Sequence, residues 1–276
     1  MQSALAGGER VFQVMDEQGE YRDEKEKEIG RVRGQVVLDH VCFSYDQTTP
    51  VLKDITLEAR PGQTIALVGH TGAGKTTIVN LLARFYDVDS GVISIDGEDI
   101  RNLDKDSVRR KLGIVLQDTY LFKGTVRENI RYGRPEATDE EIEIAAVMAN
   151  SDHFIKHLPE GYDTILSEEG SNLSHGQRQL LSITRTILAD PDILVLDEAT
   201  SSVDTRTEKY IQQAMLTLMQ GRTSFIIAHR LSTIREADNI LVIDHGEIIE
   251  RGNHEELLAQ KGFYHDLYYS QFARAV

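Results

Sequence analysis

The segment Gly69-His-Thr-Gly-Ala-Gly-Lys-Thr76 matches the pattern G-x-x-x-x-G-K-[ST] at each fixed position and has a third glycine, Gly72, between the two that the pattern fixes. Gly72 and Gly74 allow backbone angles and a close approach that a Cβ would prevent. The N–H groups of such a loop, followed by a helix N-terminus, attract an anion. Lys75 would add a charge for phosphate oxygens, and Thr76 a hydroxyl for Mg²⁺. The pattern predicts a phosphate-binding loop; the alternative is a chance glycine turn.

Two adjacent carboxylates form a second candidate group. Asp197 and Glu198 directly follow the apolar run Ile193-Leu-Val-Leu, at the carboxyl end of a predicted strand. Sheets of the α/β type bind ligands at that end of their strands. Asp197 is therefore a candidate Mg²⁺ ligand, and Glu198 is a candidate base that orients or deprotonates an attacking water. The alternative for this pair is a helix-capping role.

The elements that must position these residues have an α/β pattern. Thr64–Val68 is a continuous apolar run, typical of a parallel strand buried on both faces, and Thr76–Phe85 has helical periodicity. A strand, a glycine loop and a helix in this order predict the start of an α/β nucleotide-binding core. Further buried strands are predicted at Ile114–Leu116, Ile193–Leu196, Ser224–Ala228 and Ile240–Ile243, and helices at Asp139–Ala149, Gly176–Ala189 and Thr205–Met219.

The N-terminal part of the chain has a different pattern. The residues of Gly34–Tyr45 alternate with a period of two, in which Val37, Asp39, Val41 and Phe43 share one face. Val51–Ala59 repeats the pattern. Both segments therefore predict half-buried strands. Residues 1–28 carry a short apolar stripe and then mostly charge, which predicts the end of a helix and a solvated linker. A poorly ordered terminus is the alternative.

Composition excludes several classes of protein. The chain has 276 residues, 30 Lys and Arg against 45 Asp and Glu, and a net charge of −15. Such an acidic surface disfavours nucleic acid and a polybasic contact with anionic lipid. A single cysteine, Cys42, excludes an internal disulfide framework and suits a reducing compartment. No apolar run approaches the roughly 18 residues of a membrane span, so composition predicts a soluble, acidic, intracellular chain.

One further stretch has a family-specific pattern. Asn172-Leu-Ser-His-Gly-Gln-Arg-Gln-Leu180 resembles the L-S-G-G-Q signature of ABC transporter nucleotide-binding domains, with His175 in place of the first glycine. Ser174 and Gln177 also have the spacing of a capping box ahead of a helix. Other family elements follow in the expected order: Tyr45, the phosphate loop, Gln117, the signature, Asp197-Glu198, Asp204 and His229. The resemblance covers about Gly34 to Phe272.

The resemblance implies the architecture of an ABC ATPase. That is a P-loop NTPase core, a mostly parallel sheet with flanking helices, joined by an antiparallel β subdomain and an inserted helical subdomain. We expect a membrane-helix tail and linker at 1–33 and the ATPase domain at 34–276. Within it, the core with the β subdomain takes 34–116 and 162–276, and the helical subdomain takes 117–190, so the two overlap at the signature helix.

The resemblance also implies roles for single residues. Tyr45 would stack on adenine, Gln117 would sense metal and water, and His229 would contact the γ-phosphate and support Glu198. Asp204 would lie at a dimer seam, where Ser174, Gly176 and Gln177 present a second anion site to the partner's ATP.

The expected catalytic residues are Lys75, Gln117, Glu198 and His229, and the expected Mg²⁺ ligands are Thr76, Gln117 and Asp197. The expected ATP contacts are Tyr45, Gly69, Thr71, Gly72, Ala73, Gly74, Lys75, Thr76 and Thr77, with Ser174, Gly176, Gln177 and Asp204 across the seam. Taken alone, Tyr45 could be a core or rim residue and His229 a structural histidine.

Within the family, the chain most resembles bacterial multidrug or lipid exporters, through Arg84-Phe-Tyr-Asp87, Leu121-Phe-Lys-Gly-Thr-Val-Arg-Glu-Asn-Ile130 and Ile227-Ala-His-Arg-Leu-Ser232. This implies membrane-spanning domains on the same longer polypeptide, before Met1. It also implies a second nucleotide-binding domain as partner, ATP and Mg²⁺ as ligands, and a place at the cytoplasmic face of the membrane, with no nucleic-acid partner.

Two departures from the family pattern are His175 and the segment Ser167-Glu-Glu-Gly170. Because the phosphate loop, Glu198 and His229 are intact, this combination resembles one half of a heterodimeric exporter, although a homodimer stays open. Two other functions remain as alternatives: a soluble ABC ATPase of DNA repair or translation, and a nucleotide sensor without turnover. The lack of a coiled-coil insertion between Gln117 and Ser174 disfavours repair ATPases, and Glu198 with His229 favours hydrolysis.

Overall fold

The computed structural model of this chain describes residues 2–17, 27–46, 48–116, 119–197, 204–228 and 231–272. Its strands are β1 (Val36–Phe43), β2 (Leu52–Ala59), β3 (Thr64–Val68), β4 (Ser90–Ile95), β5 (Glu98–Asp99), β6 (Leu112–Val115), β7 (Gly124–Thr125), β8 (Ile165–Leu166), β9 (Ile193–Asp197), β10 (Thr223–Ile227), β11 (Asn239–Asp244) and β12 (Glu247–Gly252). Its helices are α1 (Gln2–Asp16), α2 (Lys75–Leu82), α3 (Lys105–Lys111), α4 (Val126–Arg131), α5 (Asp139–Met148), α6 (Asp152–Ile155), α7 (His175–Ala189), α8 (Thr205–Met219), α9 (Leu231–Glu236), α10 (His254–Gln260) and α11 (Phe263–Leu267).

A mostly parallel sheet forms the centre of the described structure. Its order is β12-β11-β3-β10-β9-β6, and all neighbours are parallel except the antiparallel pair β11 and β12. The phosphate-loop strand β3 therefore lies inside the sheet, between β11 and β10. The mixed α/β fold predicted from the sequence is confirmed.

The central strands are buried on both faces, as their continuous apolar runs predict. In β3, Ile65 and Leu67 belong to one hydrophobic cluster, whereas Ala66 and Val68 belong to the other. The first cluster also contains the apolar residues of α2 and of the antiparallel sheet. The second contains those of α4, α5, α7 and α8. The central sheet thus joins the two halves of the core.

A second sheet, with the order β2-β1-β4-β5, is antiparallel throughout. The predicted alternation of β1 is wrong in its first half, because Val36 and Leu38 face the core while Val37 is half-buried and Asp39 is exposed. The register shifts between Leu38 and Val41, and only beyond this bulge do Val41 and Phe43 point inward. A bulge adds one residue to a strand, so it moves the side chains that follow to the other face.

Among the helices whose N-terminal residues the structure describes, four begin with a complete capping box. Each pairs a Thr, Ser or Asn side chain with the third residue of its helix: Thr125 with Glu128 in α4, Thr138 with Glu141 in α5, Ser174 with Gln177 in α7, and Asn253 with Glu256 in α10. Helices α4 and α5 pack on α7. The predicted limits of the helical subdomain, 117–190, stay a prediction.

Several predicted ends of elements move by one to three residues. Helix α2 stops at Leu82 rather than Phe85, since Arg84 has a left-handed φ of 51°. Strand β6 ends at Val115, which leaves Leu116 exposed.

Among the described residues, no helix combines the length and the apolar character needed to cross a bilayer. Helix α1 nevertheless exposes apolar side chains, namely Leu5, Val11, Phe12, Val14 and Met15.

Candidate active site

The phosphate loop connects β3 to α2 and needs glycine at two positions. Gly69 has a φ of 153°, and a Cβ there would stand 2.1 Å from the carbonyl oxygen of Ile243. Gly74 has a φ of 111°, and its Cβ would stand 2.7 Å from Leu52 Cδ2. Larger residues would therefore displace neighbouring structure as well as strain the backbone.

Gly72, at the middle of the loop, is different. Its φ is 83°, but a Cβ at this position would meet nothing within 4 Å. The backbone of the loop is thus left accessible on this side, with Thr71 and Thr76 exposed. Ala73, in contrast, is buried; its N–H donates to His70 O at 3.2 Å, and its carbonyl accepts from Gly246 N at 3.1 Å. The loop is anchored on one side and open on the other, as an anion cradle requires.

Lys75, the first residue of α2, is 8% exposed. Its Nζ donates hydrogen bonds to the carbonyl oxygens of Gly69 at 2.7 Å and His70 at 2.9 Å, so the ammonium lies inside the curve of the loop. Burial lowers the pKa of this ammonium, and the negative charge of Asp197 partly opposes that effect. A buried cation held by loop carbonyls is well placed to meet phosphate oxygens.

Asp197 is the last residue of β9, in register with Ile227 at the end of β10. Strand β10 separates β9 from β3, so the carboxylate and the phosphate loop lie at the same edge of the sheet. The carboxylate of Asp197 and the exposed hydroxyl of Thr76 are hard oxygen donors, which Mg²⁺ prefers. The residues present at this edge fit a magnesium nucleotide.

Tyr45 lies beside the start of α2. Its hydroxyl donates to Thr77 Oγ1 at 3.2 Å and accepts from Asn80 Nδ2 at 3.3 Å. The ring is 49% exposed and makes edge contacts with Phe43 at 4.9 Å and Tyr86 at 5.1 Å. Thr77 is buried, so its hydroxyl serves this contact. The structure thus fixes an exposed aromatic ring next to the first turn of α2, which follows the loop.

Ser174 caps α7 as its spacing predicts. Its Oγ accepts from Gln177 N at 3.3 Å, and Gln177 Oε1 accepts from Ser174 N at 2.9 Å. The helix begins at His175, one residue before the predicted start, and Gly176 is buried in its first turn. Ser174 remains exposed, so the positive end of a 15-residue helix faces outward there.

His175 lines a cavity of about 420 Å³, and its buried Nδ1 has no hydrogen-bond partner among the described residues. The buried Thr119 Oγ1 likewise lacks one there. The cavity is lined by Thr119, Tyr120, Glu169, Ser171, His175 and Arg178. The residue that departs from the signature pattern thus borders the segment that follows Gln117.

Asp204 acts as the N-cap of α8. Its carboxylate accepts from Thr207 N at 3.0 Å and from Arg206 N at 3.1 Å. The hydrogen bond from the Thr207 backbone is the main cause that lowers the pKa of this exposed carboxyl. The position has a local structural role whatever else it contacts.

The other predicted residues of the site, Gln117, Glu198 and His229, lie outside the described residues.

Sequence reasoning missed an exposed aromatic group beside the signature helix. The guanidinium of Arg185 on α7 lies over the rings of Phe122 and Tyr132, at 5.6 and 5.3 Å, and donates to Asn129 O at 3.0 Å and Tyr120 O at 3.3 Å. The rings of Tyr120, Phe122 and Tyr132 are exposed. No local spacing signals this group, because the helix residue Arg185 bonds to carbonyl oxygens 56 and 65 positions away. We call Tyr120, Phe122 and Tyr132 the aromatic patch.

Comparison with known proteins assigns the family. The family model described as ABC transporter matches residues 52–201, more than half of the chain. The chain belongs to the ABC transporter family. Its ABC transporter domain is of the type that binds ATP and hydrolyses it to drive transport, in agreement with the phosphate loop and the signature helix described above.

Individual relatives are exporters or ATP-binding proteins of this family. The chain is 55% identical to "Uncharacterized ABC transporter ATP-binding protein YfiC" of Bacillus subtilis (strain 168), over 99% of this chain and 46% of that protein. It is 56% identical to the "Fatty acid ABC transporter ATP-binding/permease protein" of Mycobacterium tuberculosis (strain CDC 1551 / Oshkosh), over 97% of this chain and 42% of that protein. The solved structure of a bacterial Atm1-family ABC exporter with ATP bound has a TM-score of 0.89 at 42% identity, over 98% of this chain and 47% of that one. The chain spans about half the length of the relatives it matches.

Proposed function

We propose that this ABC transporter domain is the motor of an exporter, in which ATP bound at the phosphate loop is hydrolysed in a head-to-tail dimer to drive transport. The observation that carries the proposal is the position of Lys75, buried within the loop and close enough to Asp197 for that charge to act on its pKa. Similarity to an Atm1-family exporter and to an ATP-binding/permease protein supports export as the work that hydrolysis performs.

In the proposed site, the loop N–H groups and Lys75 bind the phosphates of ATP while the ring of Tyr45 stacks on adenine. Thr76, Asp197 and Gln117 would hold Mg²⁺, which neutralises charge between the β- and γ-phosphates when bound. Glu198 accepts the proton of the attacking water, and His229 supports Glu198 and contacts the γ-phosphate. These roles of Gln117, Glu198 and His229 come from their positions in the family pattern.

The second half of the site comes from a partner domain. The exposed N-terminus of α7, capped by Ser174, presents helix amides and a hydroxyl that suit a γ-phosphate carried by another chain. Asp204 would lie at the same seam. Since the γ-phosphate then belongs to the interface, ATP favours the closed dimer, and hydrolysis loosens it.

The rest of the exporter would be membrane-spanning domains before residue 1 on a longer polypeptide, which places this domain at the cytoplasmic face of the membrane. The aromatic patch suits a contact with those domains, because it is exposed and because Tyr120 follows the Gln117 segment that would report the state of the nucleotide. Arg185 ties this patch to α7, the helix that begins at the signature.

His175 favours a heterodimer as the partner arrangement. A homodimer would place His175 in the signature at both ATP sites, in a position where the family has glycine and a close phosphate approach. In a heterodimer, a standard signature from the partner would complete the site formed by this chain's intact phosphate loop.

The test is a Glu198→Gln variant, with Lys75→Ala as control. With MgATP, we expect Glu198→Gln to abolish hydrolysis and to form an ATP-dependent dimer, with itself or with a candidate partner domain, measured by light scattering. Lys75→Ala should bind no ATP and stay monomeric. Hydrolysis by Glu198→Gln at the parent rate would rule out Glu198 as the base.

A further inference from the structure

One side chain of the phosphate loop contacts a helix near the C-terminal end of the described residues. The ring of His70, the second residue of the loop, packs edge to face on the ring of Phe263, with centroids 5.3 Å apart and planes at 77°. Phe263 begins α11, nearly two hundred residues later in the chain. The contact therefore joins the loop to an element that shares no strand or turn with it.

Phe263 is itself held firmly. The carboxylate of Glu250 on β12 accepts from Phe263 N at 2.5 Å and from Tyr264 N at 2.9 Å. Gly262 makes room for this arrangement, since a Cβ there would stand 2.1 Å from Glu250 Oε1. The next ring, Tyr264, is 1% exposed, and its hydroxyl is bonded to His254 Nδ1 at 2.7 Å.

On the loop side, His70 also helps to hold Lys75, the buried cation of the proposed site. The carbonyl oxygen of His70 accepts one of the two hydrogen bonds that fix Lys75 Nζ, and it also accepts from Ala73 N. The peptide unit of His70 therefore contributes to the position of the lysine, while its exposed imidazole has Phe263 as a neighbour. A ring contact that restrains the imidazole restrains the peptide unit as well.

We infer that Phe263 is a positioning residue for the phosphate loop: its ring, anchored by Glu250, restrains His70 so that the His70 carbonyl holds Lys75 toward the phosphates of ATP. This inference rests on the proposed binding of ATP at this loop. Phe263 acts through His70 and takes no part in the chemistry. An edge-to-face aromatic pair adds stabilisation beyond the burial of its area.

The test compares two leucine substitutions in the C-terminal segment. Phe263→Leu keeps apolar volume against the core but removes the ring, whereas Tyr269→Leu removes an exposed ring whose contacts are with His265 and Tyr268. We expect the Kd for MgATP, measured by calorimetry, to rise roughly two- to tenfold in Phe263→Leu and to stay unchanged in Tyr269→Leu. Phe263→Tyr, which retains the ring, should restore the parent Kd.

A double-mutant cycle separates positioning from a general loss of stability. His70→Ala should raise the Kd by a similar factor, and His70→Ala combined with Phe263→Leu should bind as each single variant does, because both remove one contact. In hydrolysis, KM should rise while kcat stays close to the parent value. Additive effects, an unchanged Kd in Phe263→Leu, or an equal loss in Tyr269→Leu would overturn the inference. Lys75→Ala keeps the two proposals apart: if it leaves ATP binding intact, the proposed site itself is wrong.

Discussion

At the scale of single residues, the glycines of the phosphate loop are required for different reasons. Gly69 and Gly74 combine a positive φ with neighbours that leave no room for a Cβ. Gly72 has the positive φ alone, with open space where its Cβ would point. In the proposed function that open space receives the phosphates, so Gly72 is needed by the ligand as much as by the backbone.

This difference predicts the outcome of a matched pair of substitutions. Gly72→Ala and Gly97→Ala introduce the same residue at φ values of 83° and 85°, both with nothing within 4 Å of the new Cβ. Each should lower the free energy of unfolding by about 1–2 kcal/mol, the cost of a left-handed residue with a Cβ. Only Gly72→Ala should weaken ATP binding, measured by calorimetry beside thermal unfolding. Equal ATP affinities in the two variants would contradict the placement of phosphate over Gly72.

At the scale of elements, the four capping boxes show how much local spacing decides. Each joins a short polar side chain to the residue three positions later, so the pattern is readable in the sequence, as Ser174 and Gln177 illustrate. The spacing does not reveal which helix N-terminus stays accessible. Burial of Gly176 and exposure of Ser174 follow from how α7 packs on α4, α5 and α8.

We therefore expect two caps with the same chemistry to differ in function. Ser174→Ala and Thr138→Ala each remove an N-cap hydroxyl from a capping box, and each should cost about 1 kcal/mol of stability. Ser174→Ala should also reduce ATP-dependent association and hydrolysis, because its helix N-terminus faces the partner's ATP in the proposed dimer. Thr138→Ala, at the start of α5, should retain both. If the two variants lost ATPase activity equally, Ser174 would have only its capping role.

At the scale of the whole molecule, one sheet serves both sides of the core and carries the site at its carboxyl edge. The strands β3, β9 and β10 bring the phosphate loop and Asp197 to one edge, and their alternate residues enter both hydrophobic clusters. The signature helix packs on one of these clusters and begins at the exposed N-cap Ser174. In the proposed mechanism this outward-facing cap meets the ATP of a second domain rather than the phosphate loop of its own chain.

The identity of that second domain can be tested through His175. His175→Gly removes the imidazole and the Cβ from the signature of this chain, so we expect stronger ATP-dependent self-association and faster hydrolysis by the chain alone. Sedimentation with and without MgATP, in a Glu198→Gln background, measures the first effect. His153→Gly, at an exposed helix position away from the site, serves as the control substitution. Unchanged association, or parent hydrolysis already at the level of a complete exporter, would count against a heterodimer.

The sequence by itself determined the features that depend on near neighbours. The buried runs of the central strands, the glycine loop and the Ser174 cap need only residues a few positions apart, whose backbone geometry is set by their own side chains. Tertiary structure decided what depends on distant contacts. Four features join segments far apart in the chain. They are the bulge that reverses the faces of β1, the bond from Tyr45 to Thr77, the ring of Phe263 against His70, and the arginine beneath the aromatic patch. Periodicity reports only which face of an element is buried; the partner across that face is selected when the elements pack together.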